Sequence, residues 1–221
     1  MSPPRWSRQL CAVAFDFDGT LAATEIDFAA LRQGLADLIR HYGAWSDSLQ
    51  GQYLLEMTAA AAARLEPDEA AHLREAAERL FRAAEQEAAA QAGLCPGADA
   101  ALARLRAAGL KVAIITRNHR AAVTALLARH PLPHEALLTR DDVAAVKPSP
   151  QHLQAALHAL GAAPQHALMV GDHHMDVSCG KAAGAWAAGV AWGTTTREQF
   201  LEAGADLVVD SIVALPGALG F

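Results

Sequence analysis

The chain has 221 residues, 52% of them apolar and 19% charged, with a formal net charge of −6. That length holds one large domain or a core with a smaller insert, and the composition supports a packed interior. The negative balance excludes a general attraction to nucleic acid or to an anionic membrane surface, so an anionic ligand would need a metal or local cations.

No apolar run approaches the length of a membrane span, and Met1 to Trp6 lacks the long apolar core of a signal peptide. Cys11, Cys95 and Cys179 are odd in number, far apart and not in metal-binding spacing. A reduced, cytoplasmic protein is expected, a monomer or homodimer with no nucleic-acid or membrane partner.

The first element, Ala12-Val13-Ala14-Phe15, is an apolar run of strand length. It meets Asp16 and Asp18, then breaks at Gly19-Thr20. Side chains two apart on a strand point the same way. Two readings stand for the pair. It is a solvated strand end or turn in which Asp and Gly serve backbone geometry. Or it binds a cation or does chemistry, because paired buried carboxylates are otherwise costly.

A helical pattern follows, with Phe28, Leu31, Leu35, Leu38 and Ile39 on one face. Gly43 to Gly51 is turn-like. A second helix is expected from near Gln52 to Leu65. A third follows Pro67-Asp68-Glu69, whose acidic first turn suits a helix start, with Leu73, Ala77, Leu80, Phe81 and Ala84 inward. Residues 23–92 therefore read as an all-helical, Ala-rich block.

After Gly93 to Gly97 the pattern alternates between helix and strand. Strands are expected at 111–116, 136–139, 167–170, 187–191 and 206–209. Helices are expected at 98–108, 121–129, 150–160, 175–183 and 196–203. Alternation of this kind implies a parallel sheet with right-handed crossovers. The fold class is α/β, a Rossmann-like parallel core of 1–22 and 93–221 interrupted by a small helical domain of 23–92.

A parallel sheet gathers its carboxyl ends along one edge, where ligands bind. Asp16 and Asp18 end the first strand, and Thr116 ends the second, followed by Arg117-Asn118. Lys147 stands just before a helix, and Gly171-Asp172-His173-His174-Met175-Asp176 ends the fourth strand. These types suit phosphate-ester chemistry. Mg2+ prefers oxygen ligands, often one or two carboxylates, and Asp16 and Asp172 supply them. A carboxylate can attack phosphorus, and a second carboxyl can protonate the leaving alcohol. A hydroxyl and a fixed ammonium can hold the phosphoryl group.

This ordering resembles the haloacid dehalogenase (HAD) superfamily of phosphohydrolases. Asp16-Phe17-Asp18-Gly19-Thr20-Leu21 matches the nucleophile motif, Thr116 the second motif, Lys147 the third, and Gly171-Asp172 with Asp176 the fourth. The helical block sits where that family carries its C1 cap. Ala183-Gly184, Gly189 to Gly193 and Ala203 to Asp206 resemble the tail of phosphoglycolate-phosphatase-like members.

The resemblance implies Asp16 as nucleophile and Mg2+ ligand, and Asp18 as acid/base, also a metal ligand through its carbonyl. It implies Thr116 and Lys147 holding the phosphoryl group, Asp172 as a metal ligand, and Asp176 behind it, orienting waters or Lys147. Gly19, Arg117 and Asn118 join Thr116 and Lys147 in binding substrate. Arg117 pairs with a substrate anion or with surface acids; Asn118 adds a polar contact or caps the next helix. His173 and His174 sit near the metal or face solvent.

The implied function is a Mg2+-dependent phosphatase of a small phosphorylated metabolite, phosphoglycolate-like or a sugar phosphate, working through an aspartyl-phosphate. Asp18 argues against carbon–halogen hydrolysis, where no proton is needed by the leaving halide. Absence of Lys from 23–92 argues against a phosphonatase. A sugar phosphomutase of the same fold and a non-catalytic binding protein are the alternatives.

Overall fold

The computed structural model describes residues 3–221. Among them, β1 (Ala12–Phe15), β2 (Lys111–Ile115), β3 (Ala136–Leu138), β4 (Ala167–Gly171), β5 (Trp186–Val190) and β6 (Leu207–Val209) form one sheet. The order is β3-β2-β1-β4-β5-β6, and every pairing is parallel. β1 lies between β2 and β4, with Val13 opposite Val112 and Leu168. All four β1 residues are buried, as expected of a strand covered on both faces.

The two faces differ in side-chain size. On one, Val13, Phe15, Val112, Ile114, Leu168 and Val170 form the large core with Leu102 and Leu105 of α4 (Ala98–Ala107) and Val123 and Leu126 of α5 (Arg120–Arg129). On the other, Ala12, Ala14 and Ala113 lie against Leu153 and Leu157 of α6 (Pro150–Leu160) and Cys179 of α7 (His174–Ala182). Small residues let the helices approach closely. A Cβ on Gly180 of α7 would stand 2.9 Å from the Met169 Cβ. Full burial of a side chain such as Phe15 is worth about 1.5–3 kcal/mol.

Two compact units divide the chain, one running up to Thr24 together with Gln91–Phe221, the other Glu25–Ala90. The second is helical, with α1 (Phe28–His41), α2 (Leu54–Ala62) and most of α3 (Pro67–Gln91). Its core is Leu31, Leu35, Ile39, Met57, Leu73, Ala77 and Phe81. Phe28, expected on the inner face of α1, is 62% exposed. It is the first helical residue, and Leu31, Leu35 and Ile39 fill the core without it.

Beyond β5, α8 (Arg197–Glu202) opens with a capping box in which Thr196 accepts from Gln199 N and Gln199 accepts from Thr196 N. The sequence pattern stops at β6, but the chain adds α9 (Leu215–Leu219), which buries Leu215 and Leu219 beside α4. Five residues are too few to show a helical period. No helix among the described residues is long and apolar enough to cross a membrane.

Candidate active site

Asp16 extends the β1–β4 ladder by one bond, its N–H donating to the Val170 carbonyl at 2.8 Å. The chain then folds back sharply. Leu21 and Ala22 N–H groups both donate to the Phe17 carbonyl, at 2.9 and 2.8 Å. Gly19 turns the corner at φ 79°, and a Cβ there would run into the Asp172 carboxylate. The buried Thr20 hydroxyl donates to Asp172 Oδ1 at 2.8 Å. Trp192 donates from Nε1 to the Gly19 carbonyl at 2.7 Å. The turn after β1 is thereby fastened to the loops after β4 and β5.

Lys147 is fully enclosed, 1% exposed, between two carboxylates. Its Nζ lies 2.6 Å from Asp16 Oδ1 and 2.7 Å from Asp176 Oδ1. Asp176 sits in the first turn of α7, where its other oxygen accepts the His173 N–H at 3.1 Å. His173 in turn caps α7, Nδ1 accepting from Met175 N at 3.2 Å. Any side chain at Gly171 would overlap the Asp176 carboxylate.

Asp18 turns toward the end of β2. Its carboxylate accepts from the Thr116 hydroxyl at 2.9 Å, the Thr24 hydroxyl at 2.9 Å and the Asn118 amide at 3.1 Å. The Thr116 hydroxyl accepts from Asn118 N at 3.0 Å. Its single proton is therefore committed to Asp18.

The charges do not balance. Burial pushes Asp16 up to about 7, with Asp176 and Asp18 adding to the rise and Lys147 only partly offsetting it. Burial and the neighbouring Asp16 bring Asp172 to about 7 as well. Asp176 is also raised, chiefly by burial. For Lys147 burial works downward, but Asp16 and Asp176 overcome it and hold the ammonium charged. One lysine thus faces more carboxylate than it can neutralise. Asp16, Asp172 and Asp176 each offer an oxygen within 4.8 Å of the others. An all-oxygen, anionic donor set with a charge deficit fits a hard divalent cation such as Mg2+. The cluster includes Asp176, which the sequence reading set behind the ligands, and leaves out the Asp18 carboxyl.

Asn118 is no helix cap. The N-cap position of α5 is His119, and the Asn118 side chain spans Asp18 and the His119 N–H. The Arg117 guanidinium donates to the Lys147 carbonyl. The rings of His173 and His174 lie 4.0 Å apart between centroids. Cys179 is buried, its thiol against the Ser149 carbonyl at 3.2 Å, and all three cysteines are free. Thr20 and Trp192 stand inside motifs of the sequence with no role assigned, and Thr24 is given none either. Each is an ordinary residue type whose partner is fixed only by the turn after β1.

Known proteins resemble this chain at both levels. Pyrophosphatase PpaX of Bacillus cereus (strain AH820) is 44% identical over 101 residues, 45% of this chain and 46% of that protein. The "Phosphoglycolate phosphatase, plasmid" of Cupriavidus necator is 36% identical over 126 residues, 56% of this chain and 54% of that one. The chain spans about half the length of the curated relatives it matches. Among solved structures, a hydrolase from Pseudomonas syringae superposes with a TM-score of 0.69 at 23% identity, covering 95% of this chain and 97% of that one. CbbY from Rhodobacter sphaeroides, in complex with phosphate, gives 0.64 at 27% identity, covering 93% and 96%. The haloacid dehalogenase-like hydrolase family matches residues 11–184, and with this α/β fold the chain belongs to it.

Proposed function

We propose that the chain is a Mg2+-dependent phosphoric monoester hydrolase acting on a small phosphorylated metabolite, phosphoglycolate-like or a sugar phosphate. The observation that carries this is the enclosed Asp16–Lys147 pair, 2.6 Å apart, at the carboxyl edge of the sheet. The phosphoglycolate phosphatase relative and the phosphate complex of CbbY support the substrate class. The helical block 23–92 is assigned as the cap that sets substrate choice.

Asp16, Asp172 and the Asp18 carbonyl would hold the ion, with Asp176 beside them. Bound, it would supply charge neutralisation and polarise phosphoryl oxygens. Lys147 favours the ionised form of Asp16 against the effect of burial and adds positive charge where the transferring group must sit. An Asp16 oxygen bonds to phosphorus as the ester P–O bond breaks, its electron pair leaving with the alcohol oxygen. The Asp18 carboxyl hands that oxygen its proton. Water then attacks phosphorus, Asp18 takes the water's proton, and the Asp16 carboxylate and inorganic phosphate separate. Thr116 has one proton to give. Turning it to a phosphoryl oxygen removes a donor that favours ionised Asp18, which helps Asp18 keep its proton for the leaving group.

Phosphate release from a panel of phosphorylated metabolites, with Mg2+ and with EDTA, tests the reading. Release that needs both Mg2+ and Asp16 is expected. Equal release by the parent and Asp16→Asn removes Asp16 as nucleophile.

A further inference from the structure

His152 is fully buried on the first turns of α6, and the mechanism above does not use it. Its two ring nitrogens face two backbone groups. The Lys147 N–H points at Nδ1 from 3.3 Å, and Nε2 lies 3.1 Å from the Leu138 carbonyl oxygen. A backbone N–H can only donate and a carbonyl can only accept. Nδ1 must therefore carry the lone pair and Nε2 the proton, so that the contacts select one neutral tautomer. The same Leu138 oxygen accepts the Thr116 N–H at 3.0 Å. The ring thus joins the backbone of Lys147 to the acceptor that anchors Thr116. On the other side of the same residue, the Arg117 guanidinium donates to the Lys147 carbonyl.

We propose that His152 is a positioning residue whose neutral ring locks the Lys147 backbone to the Thr116 strand end. The backbones that carry the hydroxyl and the ammonium are thereby held in fixed relation. This deepens the phosphatase reading and rests on it. Lys147 lies in the connection between β3 and α6, outside any strand ladder. Asp16 and Asp176 hold its ammonium at the end of a four-carbon stem, and the backbone position sets how far that stem must reach. The charged groups facing the ring are Lys147, Arg117 and Asp142. Burial, aided by the two cations and opposed by the Leu138 bond and Asp142, holds the ring near 4. It therefore remains an acceptor toward Lys147 throughout the neutral range.

Two variants of the full chain and one spectrum test this. His152→Asn keeps a side-chain acceptor on the Nδ1 side, and His152→Leu fills the space without one. With p-nitrophenyl phosphate and Mg2+, the Leu variant should lose about tenfold or more in kcat, and the Asn variant should stay within about threefold of the parent. Equal kcat in the Leu variant and the parent, or equal damage in both variants, overturns the proposal. A long-range 1H–15N spectrum of the parent should show the His152 ring neutral, protonated on Nε2, at pH 5.5 and 7.5. A proton on Nδ1, or a charged ring at pH 5.5, also overturns it. If His152→Leu does not fold, the Asn variant and the spectrum decide. A parent that releases no phosphate sinks the phosphatase reading alone. The ring spectrum and Lys147 amide exchange, about tenfold faster in the Leu than in the Asn variant, then judge His152, and equal exchange overturns it.

Discussion

Exposed ion pairs occur in both units of this molecule, but the α/β unit also sets charge in its interior. In the helical unit, Arg79 pairs with Glu75 at i,i+4, their side chains 64% and 70% exposed, and Arg40 pairs with Asp37 at i,i+3. Such pairs decorate solvated faces and each contributes a few tenths of a kcal/mol. In the α/β unit, Lys147 and Asp176 meet with 1% and 0% of their side chains exposed, and Asp16 and Asp172 stand beside them. Removing such groups from water costs several kcal/mol per ion, and mutual attraction need not recover it. A fold keeps an arrangement of this kind where chemistry requires it. The comparison locates function by desolvation rather than by the number of charged residues.

The largest effect should come from Asp16→Asn, which keeps the shape and removes the proposed nucleophile. Phosphate release is expected to fall about a thousandfold or more with the fold intact by circular dichroism. Next, Lys147→Met keeps the stem but leaves Asp16 and Asp176 facing each other. In EDTA at pH 8, denaturant unfolding should show a loss of about 3–5 kcal/mol. A loss no larger than that of a surface pair would break the contrast between the units.

A third test uses pH. An acid whose folded-state pKa is raised stabilises the fold fully below its unfolded value, and that contribution is lost as pH rises through the folded one. Asp16 and Asp172, at about 7 against an ordinary 3.8, therefore weaken the metal-free protein between about pH 4 and 7. His152 and His173, held near 4, act in the opposite sense. Their contribution is present above 6.5 and lost as pH falls. It largely cancels when Mg2+ and EDTA samples are compared at one pH. The rise in Tm on adding Mg2+ should thus be greater at pH 8 than at pH 5.5, where protons occupy the acids. Equal rises would argue against binding at these carboxylates. The smallest effect belongs to Arg79→Ala, about 0.5 kcal/mol or less by the same unfolding measurement.

The strands and their polar ends could be read from the sequence because each is a local pattern. The run Ala12 to Phe15 meets Asp16, the run ending at Ile115 meets Thr116, and Gly171 meets Asp172. A parallel sheet brings such ends together by topology alone. What could not be read depends on separation. Thr20 reaches Asp172 across 152 positions and Trp192 reaches Gly19 across 173. Neither residue type announces its partner. Asn118 had two roles open by spacing, helix cap or substrate contact, and the structure gives its amide a partner that spacing did not offer, Asp18. His152 sits on an apolar face of α6 that looks like plain core until Leu138 and Lys147 are placed against it. Phe28 shows the reverse error, a residue in helical phase with the core face that nonetheless faces out.

The central position of β1 has a consequence for how the protein is made. Val13 is synthesised ahead of its partners Val112 and Leu168, which follow 99 and 155 positions later. Throughout that interval an apolar strand with two open edges has no native place to pair, and such edges invite association with other chains. Its closure must wait for contacts of long sequence separation, which slow folding. The strand that ends at Asp16 is enclosed only after both of its neighbours, so this edge of the sheet takes shape no earlier than the synthesis of Leu168.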